Sequence, residues 1–469
     1  MAIDFTMTEK GLFAETTTQP PDPGTVPGEI SSYLEPVNLP KCDANNPEVQ
    51  FIRNNADWQT INSSSKRIFC VSPGNYKSLG NIKLTANGTA EKRRYIILNN
   101  GNDTHPGKLN DSELANYKLK FKASYWTVDR CAIINDGGYV VTMETGASYN
   151  ILNRMYTRDV GSSVSIRDNA HNNTIQNSRF EDQRDPGYDG SVCIQIQAWG
   201  TNYFQVHNTK VINNEFYNQN DGFQIVRGAV SNYRTAYQDG NAEGTIVDSN
   251  HFYKDVPYME NAIDIKCGSD NPNNPVIISN NYMWGYRQHP DYVPGSYGPG
   301  VSAIQGHYSP KNIHIINNVF FDCETAINIG SNGPSTGFDK GFIGSVIKNN
   351  LIYDCGGGTR TRYPLKFSSM RDTDMSHNSF VNNHYKYYAF LAFNGASMQE
   401  TYFRNNDICG ESSEWSEEKY INSNHSAFIN SLSSNTNCAK IYNKDLVFTA
   451  DKFTNNPRVI TLENAIEDN

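Results

Sequence analysis

The chain has 469 residues, a formal net charge of −9 and 12% aromatic side chains. The acidic balance argues against a nucleic-acid partner, for which a basic stripe is expected. No apolar run approaches the ~20 residues of a membrane-spanning helix, so no membrane span is predicted. The length allows one large repeat domain or several domains, and the unbroken repeat described below favours one.

Residues 1–40 are predicted to form an extended segment or linker. Residues 15–40 are rich in Thr, Pro and Gly, and they include the run TTTQPP at positions 16–21. The N-terminus lacks the apolar core of a signal peptide. We expect a mature protein whose leader is absent from this chain, either secreted, periplasmic or on the cell surface, although the composition also permits a cytosolic protein.

A cadence marked by asparagine recurs nine times in the middle of the chain. Each unit has an apolar residue, a marker two positions later and a large apolar residue three positions after the marker. The markers extend from 153 to 405 in eight steps, a mean period of about 31 residues, which is typical of repeat proteins. The markers are Asn153, Asn177, Asn213, Ser249, Asn280, Asn317, Asn349, His377 and Asn405.

Short strands occupy each repeat unit. Residues 164–167 and 263–266 alternate apolar and polar side chains, a pattern typical of strands, and Gly, Asn and Asp fill the gaps. One strand set per repeat predicts an all-β fold, a single-domain right-handed parallel β-helix of roughly ten or more coils over residues 41–410. Residues 411–469 are predicted to cap the open end, because an uncovered solenoid edge invites association.

We interpret the marker residues as structural. Asn tolerates the left-handed backbone conformation that a sharp bend between strands requires. Its amide is also expected to hydrogen-bond the equivalent amide of the next coil, which would form a ladder. The markers are therefore not candidates for catalysis or for glycosylation.

The nine cysteines lie at both ends of the repeat and in its interior. Cys323 and Cys355 follow the closing apolar residues of neighbouring units by three positions, so they are expected to stack. Disulfides at the two ends would suit an extracellular protein, and buried free thiols are the alternative. The candidate end pairs are Cys42 with Cys70 at the entry and Cys409 with Cys438 at the exit.

Two segments resemble the opening coils of carbohydrate-active parallel β-helices. They are residues 67–76 (RIFCVSPGNY) and residues 88–90 (GTA), the latter followed by YIIL at 95–98. Over residues 60–410 the chain is similar to the pectate-lyase-like superfamily of polysaccharide lyases and glycoside hydrolases. The resemblance implies the fold and leaves the reaction open, because this fold hosts many reactions.

The segment Glu260–Lys266 is similar to the acidic calcium-binding stretches of pectate lyases, which place two carboxylates four residues apart on a strand. This resemblance implies a Ca²⁺ site held by Glu260 and Asp264. The Asp-Asp pair and the Gly-His-Gly segment of polygalacturonase-type hydrolases are not found in the sequence.

Stacking the coils predicts one polar face. The inward reference residues are Val141, Val164, Ile194, Phe223, Ile263, Ile304, Ile327 and Leu365, and the next residue of each strand should point outward. This outward column reads Thr142, Ser165, Gln195, Gln224, Asp264, Gln305, Asn328 and Lys366. Two positions further along adjacent coils come Lys266 and His307. The predicted catalytic residues are Lys266, His307, Asp264 and Glu260.

Long connections flank the same coils. Marker steps of 31 to 37 residues surround this face, whereas the last two steps have 28. Extra loop length on a few coils builds walls around a groove, and the predicted walls are segments 182–192, 228–244 and 285–302. The predicted substrate-binding residues are Arg227, Gln224, Gln305, Arg287, His289, Trp284, Tyr308 and Asp221.

The first functional hypothesis is a polysaccharide lyase that acts by β-elimination on a uronic-acid-containing glycan. Lys266 or His307 would be the base, and Arg227 or Arg287 would bind the substrate carboxylate. A Ca²⁺ ion on the acidic segment would bridge to the same carboxylate.

A glycoside hydrolase of an anionic or sulfated polysaccharide is the second hypothesis. Glu260 and Asp264, or one of them with Asp221, would then be the catalytic carboxyl pair. The third hypothesis is a non-enzymatic solenoid that binds glycans. In every case the expected partner is an anionic polysaccharide or oligosaccharide, and the chain is expected to be a monomer.

Overall fold

The computed structural model describes residues 32–383, apart from 102, 184–191, 199–205, 228–240, 255–259, 288–301, 308–309, 330–341, 357–363, 368–369 and 382, together with short separate strands outside that range. Within these residues the helical elements are one α-helix, Asn55–Gln59, and three 3₁₀ turns, Lys77–Leu79, Pro106–Lys108 and Asp111–Glu113. None of the helices in the described part is long and apolar enough to cross a membrane.

Almost all of the remaining regular structure is strand, arranged in three stacks of parallel strands, which confirms the predicted parallel β-helix. The first stack is a sheet of 13 strands: Val49–Ile52, Ile68–Val71, Arg94–Leu98, Trp126–Asp129, Ile151–Asn153, Thr174–Gln176, Lys210–Ile212, Ile246–Asp248, Val276–Ser279, Ile313–Ile316, Val346–Lys348, Asp374–Ser376 and Tyr402–Arg404.

From Trp126–Asp129 onward, the first-stack strands lead through a short turn to the second stack. Its strands are Gly74–Asn75, Ala115–Asn116, Arg179–Glu181, Glu215–Tyr217, His251–Tyr253, Tyr282–Trp284, Val319–Phe321, Leu351–Tyr353, Ser379–Val381, Asp407–Cys409 and Thr436–Cys438. Two long strands, Ala132–Met143 and Tyr156–Arg167, pass from the second stack into the third.

The third stack completes each coil and carries the polar face. Besides the two long strands it contains Asn81–Leu84, Lys118–Phe121, Val192–Ala198, Asp221–Arg227, Asn261–Ile265, Ser302–Gly306, Ile327–Ile329, Leu365–Phe367, Leu391–Phe393 and Ile421–Asn422. A short side sheet is formed by Phe342–Ile343, Met370–Arg371 and Met398–Gln399.

The marker residues lie at the bend between the first and second stacks, as predicted. They adopt positive φ angles between 54° and 58° at Asn177, Asn213, Ser249, Asn280, Asn317, Asn349 and His377. In the first unit the left-handed residue is Arg154, with φ 53°, and not the predicted Asn153. Marker 405 lies outside the described residues. The bend therefore explains the preference for Asn, which tolerates this conformation better than most residues do.

The long amide ladder lies one residue after the markers, where the side chains point into the core. From Asn214 to Asn378, each Asn Nδ2 donates to the Oδ1 of the next coil at 2.9 to 3.1 Å. The ladder residues are Asn214, Asn250, Asn281, Asn318, Asn350, Asn378 and Asn406. Among the markers, Asn177 and Asn213 each donate to the preceding marker.

The closing apolar residues of the repeat units form the core. Phe180, Phe216 and Phe252 stack on adjacent coils with ring centroids 5.0 and 4.4 Å apart, and all three are fully buried. Met283, Phe320, Ile352 and Phe380 continue this buried column. Offset-stacked rings contribute attraction beyond the burial of their area, so the repeat holds its large residues in register.

The cysteines follow both of the predicted patterns. Cys42 and Cys70 form a disulfide at the entry of the solenoid. Cys323 and Cys355 are buried free thiols that lie within hydrogen-bonding reach of each other on neighbouring coils. Cys409 and Cys438 are register partners on parallel strands, and their side chains lie outside the described residues.

The terminal segments also contain strands. Ile3–Thr8 and Gly11–Thr16 form an antiparallel pair inside the segment predicted to be a linker. Glu35 lies on the first stack, where its backbone exchanges two hydrogen bonds with the Gln176 side chain. At the other end, parallel pairing continues past residue 410 to Thr436–Cys438, and Val447–Thr449 pairs antiparallel with Val459–Thr461.

Candidate functional site

The third stack has the register that the sequence predicted. Val141 pairs with Val164, and the reference column continues coil by coil to Leu365. Asp264 lies between Gln224 and Gln305 on the flanking rungs. Lys266 and His307 directly follow the ends of their strands on adjacent coils, since His307 N donates to Ile265 O at 2.8 Å.

The polar column from Thr142 to Asn328 is buried. The Asp264 side chain is 3% exposed, whereas Lys266 and His307 at its rim are 26% and 17% exposed. Neighbouring rungs satisfy one another: Gln195 Nε2 donates to Gln224 Oε1 at 2.7 Å, and Gln224 Nε2 donates to Asp264 Oδ2 at 2.8 Å. A polar ladder of this kind lets hydrogen-bonding side chains remain away from water.

Asp264 is the centre of the site. Lys266 Nζ lies 2.9 Å from its Oδ2, and His307 Nε2 lies 3.4 Å from its Oδ1. Among the described residues, Oδ1 has no hydrogen-bond partner of good geometry. Burial lowers the pKa of His307, against the opposing effect of the Asp264 charge, and nearby Lys266 lowers it further. The imidazole is therefore neutral at neutral pH, where it can accept a proton.

Asp221 and Glu260 extend this cluster. Gln224 Nε2 bridges the two aspartates, because it also donates to Asp221 Oδ2 at 3.0 Å, and Asn261 Nδ2 donates to Asp221 Oδ1 at 3.1 Å. Burial raises the pKa of Asp221 well above its usual range, and the negative charges of Glu260 and Asp264 raise it further. Both effects favour the protonated form of Asp221 over the carboxylate.

The predicted Ca²⁺ site at Glu260 and Asp264 was tested against these contacts. The crowding of three carboxyl groups and the unpaired buried Oδ1 of Asn261 favour a cation. Within the described ranges, however, no group of three or more His, Cys, Asp or Glu side chains is arranged around one point. Ca²⁺ takes about 6–8 oxygen ligands. The described donors therefore do not fit this ion, and no step proposed below uses a metal.

Other predicted residues lie elsewhere or outside the described part. The Arg287 guanidinium binds Asp322 and donates at 2.6 Å to the carbonyls of Asp354 and Gly356, so its contacts are those of a structural residue. Trp284 belongs to the second stack, where it packs on Tyr253 with centroids 5.2 Å apart. The Arg227 side chain and all of His289 and Tyr308 lie outside the described residues, as does most of the predicted walls.

Gln305 is in the predicted position but has different partners. Its Oε1 accepts from Asn328 Nδ2 at 2.8 Å, and its Nε2 donates to the carbonyl of Gly306 at 3.0 Å. It therefore continues the polar ladder beyond Asp264.

Tyr139 and Asn261 are site residues that sequence reasoning missed. Tyr139 donates to Gln195 Oε1 at 2.6 Å and accepts from Gln197 Nε2 at 3.2 Å. A register shift in its strand between Asp136 and Tyr139 redirects the ring, as bulges do, so regular alternation could not place it. Asn261 could have been found, because it pairs in register with Asp221 on the preceding rung.

Comparisons with known proteins support the fold. No protein-family model matches the chain, and no curated protein matches it in sequence. A mannuronic-acid-specific polysaccharide family 6 lyase from human gut microbiota matches in structure with a TM-score of 0.52 and 13% identity, covering 83% of this chain and 91% of that one. The chain is a right-handed parallel β-helix. At this identity the likeness extends to the fold alone.

A family 6 alginate lyase shows the same likeness. A single-residue variant of that enzyme superposes with a TM-score of 0.54 and 13% identity, and the unsubstituted enzyme gives 0.50 and 12%. In both, the match covers 87% of this chain and 55% of the other. This chain therefore matches about half the length of that enzyme.

Proposed function

We propose that this β-helix is a polysaccharide lyase that cleaves a uronic-acid-containing glycan by β-elimination. The observation that carries the proposal is the pairing of Asp264 with an amine and a neutral imidazole from two adjacent coils. The mannuronic-acid specificity of one structural neighbour gives uronates, and alginate in particular, as the first substrates to test.

β-Elimination needs a base, a proton donor and neutralisation of the uronate. We assign the proton of the neutral His307 imidazole to Nε2, which lies 3.4 Å from Asp264 Oδ1, so that the Nδ1 lone pair takes the C5 proton. The C5–H electrons form the C4–C5 double bond, and the C4–O bond breaks toward the leaving oxygen. Lys266, whose Nζ lies 2.9 Å from Asp264 Oδ2, is assigned to neutralise the uronate and to give the leaving oxygen its proton.

Two assays run together test this reaction. Acidic polysaccharides are incubated with the protein, and the ultraviolet absorbance of an unsaturated sugar is followed beside the release of reducing ends. A lyase raises both signals. His307→Gln and Lys266→Ala should each lower kcat by about 10²–10⁴-fold, because each removes a proton-transfer group. Lys348→Ala, a half-buried lysine on the first stack, is the matched control.

Each alternative predicts a different result. Full activity in both His307→Gln and Lys266→Ala would mean that the site lies elsewhere. Repeating the assay in chelator tests the Ca²⁺ that the acidic segment suggested: unchanged activity agrees with the donor set described above, and lost activity that added Ca²⁺ restores would place an ion at ligands beyond it.

A glycoside hydrolase is the second candidate, because Asp221, whose pKa is raised by burial, is bridged to Asp264 by the Gln224 amide. A carboxylic acid with a raised pKa next to an ionised carboxylate is the pairing that glycosidases use. Reducing ends without new ultraviolet absorbance, lost in Asp221→Asn, would favour this reading. Binding of a polyanion with neither signal would indicate a glycan-binding solenoid.

We further propose that the protein works as a monomer outside the cytoplasm, as a secreted, periplasmic or cell-surface protein. The Cys42–Cys70 disulfide supports an oxidising compartment. The division into segments 1–40, 41–410 and 411–469 also stays a proposal, and limited proteolysis with mass spectrometry would test its boundaries.

A further inference from the structure

A second charged cluster lies on the third stack, several rungs from Asp264. Glu144, whose side chain is 7% exposed, receives Lys120 Nζ at 2.7 Å, Lys122 Nζ at 3.4 Å and Arg167 Nη2 at 2.9 Å. Asp168 lies 3.8 Å from the same guanidinium. Positive charges are in excess here, although the chain as a whole has a net charge of −9.

The cluster shares its face and register with the candidate site. Lys120 pairs with Thr142, whose column continues through Gln195 and Gln224 to Asp264. Arg167 pairs with Gln197 in the column that leads to Lys266, three rungs further on. At about 4.8 Å per rung this separation is about 14 Å, the length of a few sugar residues.

The rungs between the two charged clusters carry neutral hydrogen-bonding groups. Gln195, Gln197 and Gln224 lie there, and the Tyr139 hydroxyl joins the first two. Amides and phenols suit the hydroxyl groups of sugars, since they both donate and accept. The face therefore changes from cationic, through neutral and polar, to the reactive group at Asp264.

A stacked aromatic surface follows the cationic cluster in the chain. Tyr125 and Tyr149 stack with centroids 4.8 Å apart and planes inclined by 8°, and His171 meets Tyr149 edge-on. Tyr149 is 42% exposed, and it is the large hydrophobic side chain that stands out as exposed in the described part. These rings lie three to five residues after Lys122, Glu144 and Arg167 on the same coils.

We infer that Lys120, Lys122 and Arg167 form a distal subsite that binds a uronate carboxylate of the same glycan chain whose cleavage occurs at Asp264. The inference rests on the proposed function. A chain lying along the solenoid axis crosses one rung after another, so its anionic groups reach the cluster while the scissile bond is at His307. Guanidinium and ammonium groups make charge-assisted bonds to carboxylates, and Tyr149 offers a flat face to a sugar ring.

Oligosaccharide length separates the distal subsite from the reactive one. Binding of mannuronate tetrasaccharide and decasaccharide is measured by calorimetry in full-length His307→Gln protein, which does not consume the ligand. Lys120→Ala and Lys122→Ala, on the coil five rungs and about 24 Å from Asp264, should each weaken decasaccharide binding roughly tenfold and leave tetrasaccharide binding within about twofold. Lys348→Ala on the first stack should change neither. Retained tetrasaccharide binding also confirms that each variant is folded.

Two results would overturn the inference in different ways. Equal weakening, or no weakening, of both oligosaccharides by the cluster substitutions would show that the cluster does not form a distal subsite, while the proposed reaction stands. If neither oligosaccharide binds the protein with an intact cluster, both the uronate substrate class and the inference are overturned. The same cluster substitutions in protein that retains His307 should raise KM for the long substrate and leave kcat unchanged.

Discussion

The buried amide ladder makes a sharp prediction about stability. In Asn281→Ala, four side-chain hydrogen bonds are lost at a fully buried position. The Asn281 amide donates to Val247 O and to Asn318 Oδ1 at 2.9 Å each, and it accepts from the backbone N and the Nδ2 of Asn250 at 3.0 Å each. The neighbouring marker Asn280 is exposed and donates one such bond, to Asp248 Oδ1 at 2.7 Å.

The expected cost follows from these partners. The backbone N–H of Asn250 loses its acceptor, and an unsatisfied buried donor costs about 1–3 kcal/mol. Each of the other three bonds contributes about 1 kcal/mol, because its partner atom keeps a second hydrogen bond or can shift to form a new one. Asn281→Ala should therefore lower the free energy of unfolding by about 4–6 kcal/mol. Asn280→Ala should cost about 2 kcal/mol, from one bond and a left-handed alanine.

Denaturant unfolding of the two variants and wild type, monitored by circular dichroism, measures the difference, and hydrogen exchange at the Asn250 amide reports the local opening. An unfolding free energy that falls equally in both variants, or further in Asn280→Ala, would refute the assignment of the ladder to the buried column. A matching loss of protection at Asn250 in Asn281→Ala alone would support it.

Three further predictions concern other parts of the scaffold. Cys42→Ser opens a disulfide loop with a sequence separation of 28 and should lower the free energy of unfolding by about 3.5 kcal/mol. Reductant opens the same disulfide in the wild type, so the two proteins should then be equally stable. Burial lowers the pKa of His105 to about 3, so the native state binds fewer protons than the unfolded state, and stability falls as pH drops below about 6.5. His105→Gln should lack this component, which amounts to about 2 kcal/mol between pH 8 and pH 5 in urea titrations. Gly285→Ala places a Cβ against the backbone carbonyl of a neighbouring coil and should destabilise by more than about 2 kcal/mol, whereas Gly146→Ala, at a similar φ in open space, should cost about 1 kcal/mol in thermal unfolding.

The fold was predictable because two positions of each repeat strongly prefer one type of residue. A left-handed bend selects Asn, and a buried position three residues later selects a large apolar side chain, as Asn213 and Phe216 illustrate. The column of the amide ladder was missed by one residue, since Asn213 and Asn214 are adjacent and identical in type. Only the direction of each side chain, set by the bend, distinguishes the solvent-facing amide from the buried one.

The site was predictable where it depends on strand register and unpredictable where it depends on turns. Asp264, Lys266 and His307 meet because strands one coil apart align residue by residue. Arg287 follows a strand of the second stack, and its contacts with Asp322 depend on a turn whose course no periodicity records. The burial of Asp264 was likewise hidden, because alternation tells which way a side chain points and does not tell what covers it.

The ladder and the site depend on the same spacing between coils. Asn250 begins the second-stack segment of the coil that carries Asp264 and Lys266, and Asn281 has the same place in the coil that carries His307. The hydrogen bond from Asn250 Nδ2 to Asn281 Oδ1, at 3.0 Å, therefore fixes the register between the coil that carries Asp264 and the coil that carries His307. A one-residue slip at that step would turn His307 to the opposite face of its strand. Substituting Asn281 should consequently lower activity more than the equally buried Asn378, because Asn378 joins coils that lie outside the site.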